Sequence, residues 1–280
     1  MTADMGTRAE DLSGKAQRGS ERLAGAGALG WLARFGLLAR GLVYLIIGVL
    51  ALKLALGDGG AATDQQGALK TISNQSFGEL LLILVAIGLA GYSLWRLTRA
   101  VVGHGAEVRD SGLDRIAALE SGIAYAILCV VAVEILTESG TSSGTAKETT
   151  GGILEWSGGT IMIAIVGAVL IGVAAYQAYE GLSRKFLEGA KTGEMNDGVR
   201  KGYTALGVFG HVARAVIFAL IGYGLIKAAI DYDPKEAIGL DGALRELAHA
   251  SYGPALLGLV AVGLSGFGLY SIAGSRYRKV

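Results

Sequence analysis

Several charged residues stand in this sequence where apolar ones are expected. Arg40 and Arg214 each lie inside a long hydrophobic run, both in the local pattern Phe-Gly-x-x-Ala-Arg. A third run carries Glu120 and Ser121 at the matching level. Thirteen residues beyond Arg40, Ser121 and Arg214 come Lys53, Glu134 and Lys227. Thirteen helical residues rise about 20 Å, less than a hydrocarbon core of ~30 Å, so at least one charge per run must enter an apolar slab. An isolated charge there costs at least about 2.5 kcal/mol, which favours partners or a polar cavity. The spacing predicts an intramembrane cluster of Arg40, Glu120, Ser121 and Arg214, and a second, outer layer of Lys53, Glu134 and Lys227. Each layer sets one glutamate against two basic residues, a balance that would attract an anion or a lipid phosphate. Lysine and arginine can instead snorkel their charge to an interface. Glutamate does so less easily, which makes Glu120 and Glu134 the sharper signals.

Other chemistry is sparse. His104, His211 and His249 share no spacing, and the single cysteine, Cys129, sits in an apolar run, so neither a metal site nor a cofactor is expected. There is no Gly-x-Ser-x-Gly, phosphate-binding loop or dinucleotide fingerprint, and the expectation is that the chain is not an enzyme. A formal net charge of +1 lacks the basic excess that nucleic-acid binding needs.

The elements that must position these charges are membrane spans. The chain is 52% hydrophobic with only 18% charged residues and 45 glycines. Six segments are long and apolar enough to cross a bilayer, at about 35–56, 79–98, 116–136, 159–179, 208–230 and 254–275. Their runs do not alternate apolar with polar, which excludes a barrel and leaves helices. Lysine and arginine outside the spans divide sixteen to four between the two sides, the four being Lys70, Lys147, Lys235 and Arg245. The basic side is the cytoplasmic one, so a bacterial inner-membrane protein with both termini in the cytoplasm is expected. Residues 1–30 are too charged for a signal peptide and read as a disordered cytoplasmic tail; residues 276–280 form a short basic one.

The six spans are three tandem copies of a two-helix unit, at 31–102, 112–187 and 203–275. Between Gly67–Trp95 and Gly242–Tyr270, 14 of 29 positions are identical. The middle copy is more divergent, with Glu120-Ser121 in place of Ala-Arg. Each second helix carries a glycine and two aromatics: Gly88, Tyr92 and Trp95; Gly172, Tyr176 and Tyr179; Gly263, Phe267 and Tyr270. Spacings of three and four put each trio on one helix face, where it reads as a packing signature. Short amphipathic stretches at Gly67–Asn74 and Gly242–Ala250 precede the second spans of two copies. With an even number of spans per copy, the copies share one orientation, so the expected fold is an all-α bundle with pseudo-threefold symmetry about the membrane normal.

With its Phe-Gly-x-x-Ala-Arg openings and Gly-Ala-Leu…Phe/Tyr-Gly second halves, the chain resembles the bacterial membrane family called domain of unknown function 1206, over residues 31–275. The resemblance implies the three-copy architecture and supplies no activity or catalytic residue. Two functions follow as expectations. The first is a non-enzymatic scaffold or accessory subunit that packs with lipids or a membrane-protein partner. The second is a small transporter or channel, lined by the first helix of each copy. A polar axis meeting Arg40, Glu120 and Arg214 would favour the second, and a dry packed axis the first.

Overall fold

The computed structural model describes residues 27–58, 64–102, 112–137, 146–279. The tail expected over 1–30 falls outside these residues except for its last four. The structure is helical and holds six spans: α1 (Gly27–Ala55), α3 (Gly78–Val102), α4 (Gly112–Leu136), α6 (Gly159–Leu182), α7 (Asp197–Asp231) and α9 (Gly253–Tyr277). All six have the length and apolarity to cross a bilayer, as a multi-pass membrane protein requires. α7 runs 35 residues, about 52 Å, so it outreaches a bilayer core. Its start lies well before the expected residue 208. Hydropathy sees only the apolar part, whereas the backbone ladder continues to Asn196, whose side chain accepts from the Val199 N–H at 2.9 Å and caps the helix.

A short helix precedes the second span of every copy: α2 (Gln65–Ser73), α5 (Ala146–Leu154) and α8 (Leu240–His249). The middle one corrects the expectation that only two copies keep this element. Its sequence is weakly amphipathic, because Gly151 and Gly152 occupy positions where α8 carries charge. The turn that follows is the same in all three copies. Phe77, Gly158 and Tyr252 adopt left-handed backbone (φ 64°, 86° and 62°) just before Gly78, Gly159 and Gly253. A Cβ on those glycines would lie 2.1, 1.8 and 2.0 Å from a carbonyl oxygen of the preceding helix. The Phe/Tyr-Gly motif is therefore the signature of this turn, with glycine imposed by the close approach.

Around the bundle, α4, α3, α1, α9, α7 and α6 follow as packed neighbours in that order. Copy one closes α1 on α3, copy three closes α7 on α9, and adjacent copies meet through α3–α4, α6–α7 and α9–α1. The two spans of the middle copy are not packed against each other, so the ring is open at a seam between α4 and α6. α4 is held by α3 and α2, and α6 by α7 and the short helix α5.

Away from the termini the bundle is tightly joined. A Cβ on Gly41 would meet the Gly268 carbonyl at 2.7 Å, and one on Gly167 the Gly222 carbonyl at 2.8 Å. Helices this close gain dispersion contacts that lipid cannot replace. The end of the bundle that carries the C-terminus is also ordered. The Lys191 N–H donates to the Tyr277 carbonyl at 2.7 Å and the Lys279 N–H to the Gly189 carbonyl at 2.9 Å. The same loop buries Phe186 against Tyr203, His211 and Tyr270.

Candidate functional site

A cavity of about 260 Å³ lies inside the ring, and residues of all six spans line it. Arg40, Glu120, Ser121 and Arg214, the predicted intramembrane cluster, all reach it. They share the cavity but do not pair: neither arginine contacts Glu120 directly. Arg40 on α1 donates from Nε to Ser271 Oγ at 3.1 Å and from Nη1 to the Tyr92 hydroxyl. Its guanidinium carbon lies 4.8 and 4.9 Å from the ring centres of Tyr92 and Phe267. On α7, the Arg214 guanidinium sits 4.5 Å from the Phe267 ring centre, 5.1 Å from Phe218 and 5.5 Å from Tyr44. The rings shield the faces of both cations, an attraction strengthened by desolvation. Both arginines are more than nine-tenths buried, so snorkelling does not describe them.

Two further charges come from second helices. Arg96 on α3 donates from Nη2 to the Ala117 carbonyl at 2.8 Å and to Ser121 Oγ at 3.0 Å. Glu180 on α6 lies 3.7 Å from His211 Nε2, and His211 Nδ1 is 2.7 Å from the Gly207 carbonyl. The signal was present in the repeat. Arg96, Glu180 and Ser271 each follow directly after the last aromatic of the helix signature. Arg278, just beyond α9, also lines the cavity. The inventory is four arginines against two glutamates, a formal excess of two positive charges.

The polar atoms are under-satisfied in a consistent way. Among the described residues, Arg40 Nη2, Arg96 Nε, Arg214 Nε and Gln177 Oε1 are buried without a hydrogen-bond partner. A buried donor left unmade costs about 1–3 kcal/mol, so three such donors around one cavity call for an explanation.

The outer layer does not assemble. Lys227 pairs with Glu236 at 2.8 Å, in the loop of its own copy, not with Glu134. Lys53 is exposed near the end of α1. The physical reason is length: these side chains stand where the helices give way to loops, and the nearest carboxylate or water satisfies them. The packing signature holds in two copies. Gly88, Tyr92, Trp95, Gly263, Phe267 and Tyr270 are buried. In the middle copy Gly172 and Tyr179 are exposed and Tyr176 only half-buried, with Gly172 and Tyr176 on the cavity wall.

The family described as Domain of Unknown Function (DUF1206) matches residues 35–103, 116–184 and 209–278. The chain belongs to that family. It is similar to a Bacillus subtilis (strain 168) protein described as uncharacterized protein YxxB, 36% identical over 258 residues that span 89% of this chain and 92% of the relative. No solved structure matches. The DUF1206 repeats begin at Phe35, Ile116 and Phe209, which fixes equivalent positions. Ala39, Glu120 and Ala213 are one such set; Arg40, Ser121 and Arg214 are the next. In copy one a Cβ on Gly88 would lie 2.6 Å from the Ala39 Cβ, and in copy three one on Gly263 would lie 2.5 Å from the Ala213 Cβ. In the middle copy the alanine is Glu120, and nothing lies within 4 Å of the Cβ position of Gly172. A glutamate cannot occupy the space of an alanine pressed on a glycine. That exchange lies at the seam, on the cavity wall.

Proposed function

We propose that this DUF1206 protein is a non-enzymatic membrane protein that binds a small oxyanion in its arginine-lined cavity, as the binding state of a transporter or carrier. The observation that supports this reading most directly is the set of buried, unpartnered guanidinium nitrogens around a cavity with two excess positive charges. An oxyanion would satisfy these donors together and neutralise the excess, and the fork of arginine suits oxyanions best. The scaffold expectation fits the glycine-closed interfaces elsewhere in the bundle; it leaves the buried charge without a purpose. A continuous pore is not favoured, because α1–α9 and α6–α7 close tightly beyond the cavity.

The proposed setting is the bacterial inner membrane with both termini in the cytoplasm, on the strength of the lysine and arginine asymmetry. A fluorescent-protein fusion at the C-terminus should glow, and an alkaline-phosphatase fusion there should be inactive; the reverse pattern overturns the orientation. For the binding reading, purified protein is titrated with inorganic phosphate in detergent and its thermal unfolding followed. The midpoint should rise with phosphate, and the rise should vanish in Arg214→Met. A midpoint indifferent to phosphate, sulfate and carboxylates alike would overturn the reading.

A further inference from the structure

The seam and the cavity belong to one feature, and together they restrict the ligand. We infer that the ligand is the phosphomonoester headgroup of a membrane lipid, admitted sideways between α4 and α6 while its acyl chains stay outside the ring; this rests on the anion-binding reading above.

Size gives the first argument. At about 260 Å³ the cavity is below the ~300–1,000 Å³ usual for drug-sized ligands, so it holds a headgroup and not a whole lipid. Access gives the second. The cavity wall at the seam is formed by Ile116 on α4 and by Val169 and Gly172 on α6, all exposed on the apolar flanks of spanning helices. Such a mouth suits hydrocarbon chains, whereas a hydrated ion would have to shed water to cross it. The other helix pairs facing the cavity are closed by packing, and the C-terminal end carries the buried Phe186 and the backbone pairing of residues 189–191 with 277–279.

Charge gives the third argument. Four arginines against two glutamates leave an excess of two. A phosphomonoester carries about −1.5 to −2 at neutral pH, whereas the phosphodiester of most lipids carries one. The monoester matches the excess, and the arginines that line the cavity, Arg40, Arg96 and Arg214 among them, each keep a nitrogen without a partner.

The test uses the full-length protein in nanodiscs of phosphatidylcholine containing a minor fraction of either phosphatidic acid or phosphatidylglycerol. After mild detergent extraction, bound lipid is read by native mass spectrometry. Wild type should retain phosphatidic acid over phosphatidylglycerol by about tenfold or more, the scale expected for added charge-assisted hydrogen bonds. Gly172→Trp has open space for its side chain, so it should fold with an unchanged melting temperature and lose that retention; Gly172→Leu serves if the larger residue does not fold. Arg214→Met should lose it as well. Equal retention of the two anionic lipids, or retention unaffected at Gly172, overturns the inference. If inorganic phosphate still stabilises the protein in detergent, that failure leaves the anion-binding reading standing. If phosphate has no effect either, both fall.

Discussion

Copies one and three close their two helices on each other, and the middle copy holds its pair apart. The contrast turns on one position. Gly88 and Gly263 press on Ala39 and Ala213, while Gly172 faces open space because Glu120 stands where the alanine would be. The same repeat unit thus stands in two arrangements: in two copies its spans pack on each other, and in the third they stand apart with Glu120 on the cavity wall. The fold is held across this opening by the interfaces with the neighbouring copies.

The comparison is broken most directly at the three glycines. Gly88→Leu and Gly263→Leu should each destabilise the protein by about 3 kcal/mol or more, because the new side chain must part helices held by backbone contact. Gly172→Leu should stay within about 0.5 kcal/mol of wild type. Reversible unfolding in mixed micelles measures all three, and equal losses at Gly88 and Gly172 would mean that the seam is closed in solution. Next in size, Arg214→Met should abolish stabilisation by anions and leave the ligand-free melting temperature unchanged or raised. The methionine retains contact with Phe267 and Phe218 and removes a buried charge with an unpartnered nitrogen. A large loss of ligand-free stability would instead assign Arg214 a structural role.

A smaller effect should follow from restoring the repeat. Glu120→Ala recreates the alanine of the other copies and lets α4 approach α6. Spin labels at Ile127 and Ile165, exposed on the two helices, should then report a distance shorter by a few ångströms, on the scale of the ~8–10 Å separation of packed helices. Cys129 is replaced first so that only the labels react. An unchanged distance would show that α4 is held away by α2 and α3 and not by Glu120. The smallest effect is at the outer level, where Lys227→Met breaks an exposed pair with Glu236. Its melting temperature should match wild type within error. A marked loss there would revive the outer charge layer.

Much of this was legible in the sequence. Six apolar runs and the repeat offsets dictated six spanning helices in three copies, because bilayer thickness and the need to satisfy backbone hydrogen bonds leave few alternatives. The buried arginines and Glu120 were visible too, as charges too far along their runs to escape the slab. Their partners were not. The sequence suggested pairing between opposite charges, whereas Arg40 found the Phe267 ring and the Ser271 hydroxyl of copy three, and Arg214 the Tyr44 ring of copy one. Such partners are chosen by side-chain direction across helices distant in sequence. Arg96 and Glu180 went unremarked because each sits near the end of its run, where charge is ordinary, and only the ring of helices turns them inward.

The sequence by itself determined the number of spans, their repeat and the Ala-to-Glu exchange at the key contact, since these depend on local hydrophobicity and on residue identity at fixed offsets. Only the tertiary structure decided that a seam lies at this exchange, that four arginines converge behind it and that three of them keep a nitrogen without a partner. Those outcomes depend on which helices become neighbours and on how closely their backbones can approach, and no single segment carries that information.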